Sequence, residues 1–144
     1  MKKFISLFVI VTMIVACMTF TVSAAEVSVS SFAEIVTDGE TVNKLAANID
    51  AADAVLQLND GNSVIIDLNG FTWKSANVVL DVIGGNCFAK VYDSSEAKTG
   101  AIISTANDAI SISNGELTLE NITVNGGDDG MDAVFVNGGK VTIT

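Results

Sequence analysis

The chain has no arginine, no histidine and no proline. Without histidine it lacks the side chain most often used as a general base and as a zinc ligand. Without arginine there is no bidentate guanidinium for carboxylate or phosphate recognition. The absence of proline has a structural reading, because every strand interior can donate its N–H to a neighbour. Cysteine is almost absent too: Cys17 lies in an apolar N-terminal stretch, so after its removal only Cys87 remains and no intramolecular disulfide can form. Such a domain is held together by packing. Cys87 stands beside Phe88 in an apolar stretch, and with no histidine available it reads as a small buried hydrophobe rather than a nucleophile.

What is present begins with an address. Lys2 and Lys3 precede an apolar run, and Val22-Ser23-Ala24 supplies the small-residue pattern of a signal peptidase site. Residues 1–24 are therefore expected to be a removed signal peptide, leaving residues 25–144 as one domain. Two alternatives attach to this stretch: a retained membrane anchor, and a lipobox at Ile14-Val15-Ala16-Cys17 that would lipidate Cys17. The mature part carries five lysines against 17 acidic residues, a formal charge of −12. That charge argues against nucleic acid or an anionic membrane as partner and is compatible with divalent cations and neutral glycans.

The most specific signal is a repeat. Segments 56–62 (LQLNDGN), 80–86 (LDVIGGN), 110–116 (ISISNGE) and 134–140 (VFVNGGK) share one pattern, with starts 24, 30 and 24 residues apart. Each is a short alternating strand followed by a glycine-bearing corner, where glycine supplies the positive φ of a sharp turn. A second alternating strand follows: Val64/Ile66/Leu68, Ala89/Val91, Leu117/Leu119 and Val141/Ile143. Stacked coils of short strands at a fixed period make a solenoid, and no helical pattern lies between them.

The expected fold is all-β, a right-handed parallel β-helix with a short capping α-helix at about 30–37. Ser31 and Glu34 have capping-box spacing there, and Phe32, Ile35 and Val36 share a helical face. The polar run 93–100 is expected to absorb the six extra residues of the longer interval as a projecting loop. The C-terminus has no cap and stops inside a strand, so the sequence reads as the N-terminal piece of a longer protein.

These segments resemble the pectate-lyase-like β-helix superfamily, and more closely its non-catalytic relatives in secreted and surface proteins of Gram-positive anaerobes. The resemblance rests on VIIDLNGFT at 64–72, VYDSS at 91–95, and the GELTL and GGKVTI strands. It covers the chain from about Ser30 onward and specifies a scaffold. Lyases of this superfamily hold Ca2+ with several carboxylates and use an arginine or lysine base. Here the base would be Lys74, Lys90, Lys98 or Lys140, none of them in a lyase motif. Gly127-Asp128-Asp129 is similar to the paired aspartates of the related galacturonases, whose partner histidine and arginine are missing.

Two local candidates remain. Asp128, Asp129 and Asp132 offer hard oxygen ligands on a glycine-rich turn, the set Ca2+ prefers, although the spacing matches neither the EF-hand loop nor the RTX nonapeptide. Phe135 takes the outward slot held by Gln57, Asp81 and Ser111 in other coils and marks a ligand surface or a contact with a downstream segment. Trp73 alternates with Phe71 and reads as core. The expectation is a secreted or cell-surface scaffold that binds glycans or a host or cell-wall surface, with no catalytic residue of its own. The alternative is the front part of a polysaccharide lyase or glycoside hydrolase whose catalytic groups lie beyond residue 144.

Overall fold

A computed structural model describes residues 23–128 and 130–144. The expected signal peptide up to residue 22, Cys17 within it, and Asp129 lie outside the described residues. Short runs of alternating apolar residues form strands and stop at corners of positive φ, as at Asn69 (47°) and Gly70 (83°). The first coil is β2 (Asp38–Leu45), β3 (Ile49–Asp50) and β4 (Leu56–Leu58). The second is β5 (Ser63–Asp67), β6 (Thr72–Ser75) and β7 (Leu80–Val82). The third is β8 (Phe88–Tyr92), β9 (Ala101–Ser104) and β10 (Ile110–Ile112), and the fourth β11 (Glu116–Glu120), β12 (Thr123–Asn125) and β13 (Val134–Val136). Strands β1 (Glu26–Val29) and β14 (Lys140–Ile143) flank the stack.

Each strand hydrogen-bonds in parallel to its counterpart one coil away, which yields three sheets. The long sheet runs β1-β2-β5-β8-β11-β14, the second β3-β6-β9-β12 and the third β4-β7-β10-β13. The chain is thus a parallel β-solenoid of four coils. The repeat read from the sequence is the third sheet: Leu56, Leu80, Ile110 and Val134 pair in one ladder, and Leu58, Val82, Ile112 and Val136 in another.

Inward residues form stacks along the axis. Val64, Ala89, Leu117 and Val141 line one, and Ile66, Val91, Leu119 and Ile143 its neighbour. Trp73 sits in the second sheet between Ile49 and Ile102 and is wholly buried. Each buried Val, Leu or Ile contributes about 2 kcal/mol. Because successive coils supply the same position, each side chain is covered by its counterpart on the next coil.

The front end corrects one expectation. In place of an α-helix over 30–37 there is one 3₁₀ turn, Phe32–Glu34. The Glu34 carboxylate does reach back to the amides of Ser30 (2.7 Å) and Ser31 (3.2 Å). The helix goes no further because Ile35 is already extended. Beyond it the side chain of Asn43 claims both backbone groups of Val36, accepting its N–H at 2.7 Å and donating to its C=O at 2.8 Å. Phe32 and Ile35 still pack against the core, and the Phe32 ring lies 6.3 Å from that of Trp73.

The longer interval is also distributed differently from the expectation. Asp67 to Thr72 is five residues where the paired Tyr92 to Ala101 is nine, so this corner takes up four of the six extra residues. The corners before β8 and before β10 take one each. Nor does the loop simply project. The Asp93 carboxylate accepts the amides of Gly70 (2.9 Å), Ser95 (2.8 Å) and Gly100 (2.6 Å), and Lys98 Nζ donates to the Asp93 carbonyl at 2.7 Å. Burial pushes the Asp93 carboxyl up, but the hydrogen bonds from Gly100, Ser95 and Gly70 outweigh it and hold the group below its ordinary value.

Candidate functional site

The residues that alternate with the inward stacks of the long sheet face outward. On β8 these are Phe88, Lys90 and Tyr92, flanked by Ile65 and Asp67 on β5 and by Glu116, Thr118 and Glu120 on β11. Phe88 is 38% exposed, and Tyr92 is half-buried. The two rings sit on one face of one strand, four residues apart, and the Cα atoms that carry them stand about 13 Å from each other at 3.3 Å per residue.

Local features hold both rings. Ser63 Oγ accepts the Phe88 amide at 3.0 Å. The Phe88 ring leans back over Gly39, whose φ is +76°; a Cβ there would meet Phe88 Cε1 at 3.2 Å and Ser63 Cβ at 2.9 Å. Glycine at position 39 thus serves both the backbone and the ring above it. The Lys90 ammonium lies 5.3 Å from the centroid of the Tyr92 ring and 3.1 Å from Glu120 Oε1, so the ring is braced by a cation that is itself paired. Burial, with the carboxylates of Asp67, Glu26 and Glu120 nearby, pushes the Tyr92 phenol up. It stays protonated and available as a hydroxyl donor.

The cations of this face are all matched. Lys44 pairs with Glu26 at 3.6 Å, Lys90 with Glu120 at 3.1 Å and Lys140 with Glu116 at 3.4 Å, each pair linking neighbouring coils or strands. Asp67 is buried, with Oδ1 accepting the amides of Asn69 and Ser94 at 2.9 Å and Oδ2 the Ser94 hydroxyl. Asp38 accepts the amides of Glu40 and Thr41, both at 2.8 Å.

The acidic turn is differently made. Asp128 and Asp132 are both exposed, and the turn is closed by backbone bonds: Gly127 N–H to Asn107 C=O at 2.8 Å, and Met131 N–H to Asp128 C=O at 3.2 Å. The Asp132 amide donates to Asp108 Oδ1 at 2.8 Å. Among the described residues no three Asp, Glu, Cys or His side chains come together as a metal site. Phe135 faces outward from β13, 42% exposed, in the ladder of Gln57, Asp81 and Ser111. It stands alone there.

The lysines suggested as a base are all engaged: Lys74 with Asp50 at 3.4 Å, Lys90 and Lys140 as above, and Lys98 on the Asp93 carbonyl. Cys87 is buried, its thiol donating to Gly84 C=O at 2.8 Å, and burial pushes that thiol up, away from the thiolate a nucleophile needs.

Neither Phe88 nor Tyr92 stands out as a site residue in the sequence: Phe88 reads with Cys87 as part of an apolar stretch, and the inward members Ala89 and Val91 define the second strand. The outward set was one residue away in the same alternation.

No protein family, no curated protein and no solved structure matches the chain. What is shown is the parallel β-solenoid itself.

Proposed function

We propose that the chain is an exported scaffold, a right-handed parallel β-helix of the pectate-lyase-like kind, that binds carbohydrate on the outward face of its long sheet. The observation that carries this reading is the pair Phe88 and Tyr92, two aromatic side chains at outward positions of β8 on a sheet bearing carboxylate and hydroxyl groups. Aromatic faces pack against the apolar side of sugar rings, and polar neighbours fix the ring hydroxyls. A solenoid suits the task, since its inward stacks leave the outward positions free to vary. Export is supported by the N-terminal residues 1–24, and the formal charge of −12 suits a solvated extracellular surface.

The test is binding of the full chain to immobilised glycans, compared with Phe88→Ala and Tyr92→Ala. Weakened binding in both variants, with the sheet signature in circular dichroism unchanged, is the expected result. Loss in Phe135→Ala alone moves the surface to the third sheet. Release of unsaturated oligosaccharides during incubation would favour a lyase over a binding scaffold.

A further inference from the structure

We infer that the ligand of this face is an uncharged oligosaccharide lying along β8, rather than a polyuronate. The inference rests on the carbohydrate reading above and narrows it to a ligand class. Its first ground is the spacing of the two positions. The Cα atoms of Phe88 and Tyr92 stand about 13 Å apart along one strand, more than the span of one sugar unit, so a ligand that uses both is an oligosaccharide running with the strand.

Its second ground is charge. A polyuronate carries a carboxylate on each sugar and needs surplus positive charge where it lies, from side chains or from a held divalent cation, and among the described residues no three acidic side chains come together to hold one. The lysines of the long sheet are Lys44, Lys90 and Lys140, and each already has a glutamate within 3.6 Å: Glu26, Glu120 and Glu116. Elsewhere among the described residues Lys74 is paired with Asp50, and Lys98 holds the Asp93 carbonyl. The face therefore offers no unmatched cation, on a domain whose formal charge is −12. A neutral chain meets no such barrier, and it finds acceptors in Glu116 and Glu120 and a donor in the Tyr92 hydroxyl.

The experiment is calorimetric titration of the full chain with neutral gluco-, xylo- and manno-oligosaccharides and with oligogalacturonides, each from disaccharide to hexasaccharide. The expected result is binding of at least one neutral series, with affinity rising with length until both rings are spanned. Oligogalacturonides of equal length should bind at least about tenfold more weakly. Phe88→Ala and Tyr92→Ala should each remove the length dependence, and Phe88→Tyr, which keeps a ring, should retain it. A variant carrying Glu116→Gln and Glu120→Gln frees Lys140 and Lys90 and should gain oligogalacturonide binding that salt abolishes. Preference of the unmodified protein for oligogalacturonides overturns this inference and leaves the carbohydrate reading standing. So does neutral binding that ignores chain length. Binding of neither series overturns the carbohydrate reading and this inference with it.

Discussion

At the front of the solenoid, β1 pairs with β2, Phe32 and Ile35 lie on the core, and Asn43 ties the backbone of Val36 to that of Ile65. At the rear, β12, β13 and β14 are the last strands of their sheets, and side chains from the same inward ladders stand open. Val136 is 54% exposed and Ile143 68%, while their ladder mates Ile112 and Leu119 are buried. An apolar cleft of about 220 Å³ lies there, lined by Leu119, Ile122, Val124, Ala133, Val134 and Ile143. One sequence pattern thus yields two energetic outcomes, because an inward position contributes in full when a coil lies on each side of it.

The largest effect should come from breaking a ladder in its interior. Ile112→Ala removes a side chain stacked between Val82 and Val136 and should cost about 3 kcal/mol in urea unfolding. Next is the polar tie at the front. Asn43→Ala strands the backbone groups of Val36 and should cost about 2 kcal/mol, with faster amide exchange confined to residues before β3.

Acid gives a smaller, graded effect. The folded Asp93 carboxyl lies below its unfolded value, near 4, so its contribution is complete above that pH and is lost as pH falls through the folded value. Stability should therefore decline on acidification below about pH 4, and Asp93→Asn should flatten that decline. The smallest effect belongs to the rear. Val136→Ala, in the same ladder as Ile112, should change stability by less than about 0.5 kcal/mol. A loss as large as that of Ile112→Ala would show that the rear end is covered in solution, and the contrast between the ends would disappear.

The scaffold was readable because a solenoid repeats its own evidence. Leu56, Leu80, Ile110 and Val134 each carry the same alternation and the same corner, so four weak signals reinforce one register. The front cap was legible as an apolar patch but not as a conformation. Ser31 and Glu34 favour a helical start, and what ends it is Asn43, several residues further on and facing inward. The Asp93 loop was similarly opaque. Its aspartate reads as one more polar loop residue until the fold brings the Gly70 amide of the preceding coil against it. The aromatic face was within reach of period-two reasoning. Its charge balance was not, because Lys90 and Glu120 are 30 residues apart and meet through coil stacking alone.

The Asp93 carboxylate has a consequence for how such a chain can change. Its two oxygens grip Ser95 near the start of the detour and Gly100 at its end, and the strand that follows resumes its pairing at Ala101 as though nothing had been inserted. The corner behaves as an expansion joint. Sequence placed between residues 95 and 100 lengthens one coil while the ladders above and below keep their register, so this is where the solenoid can accept a foreign peptide and hold it clear of the sheets.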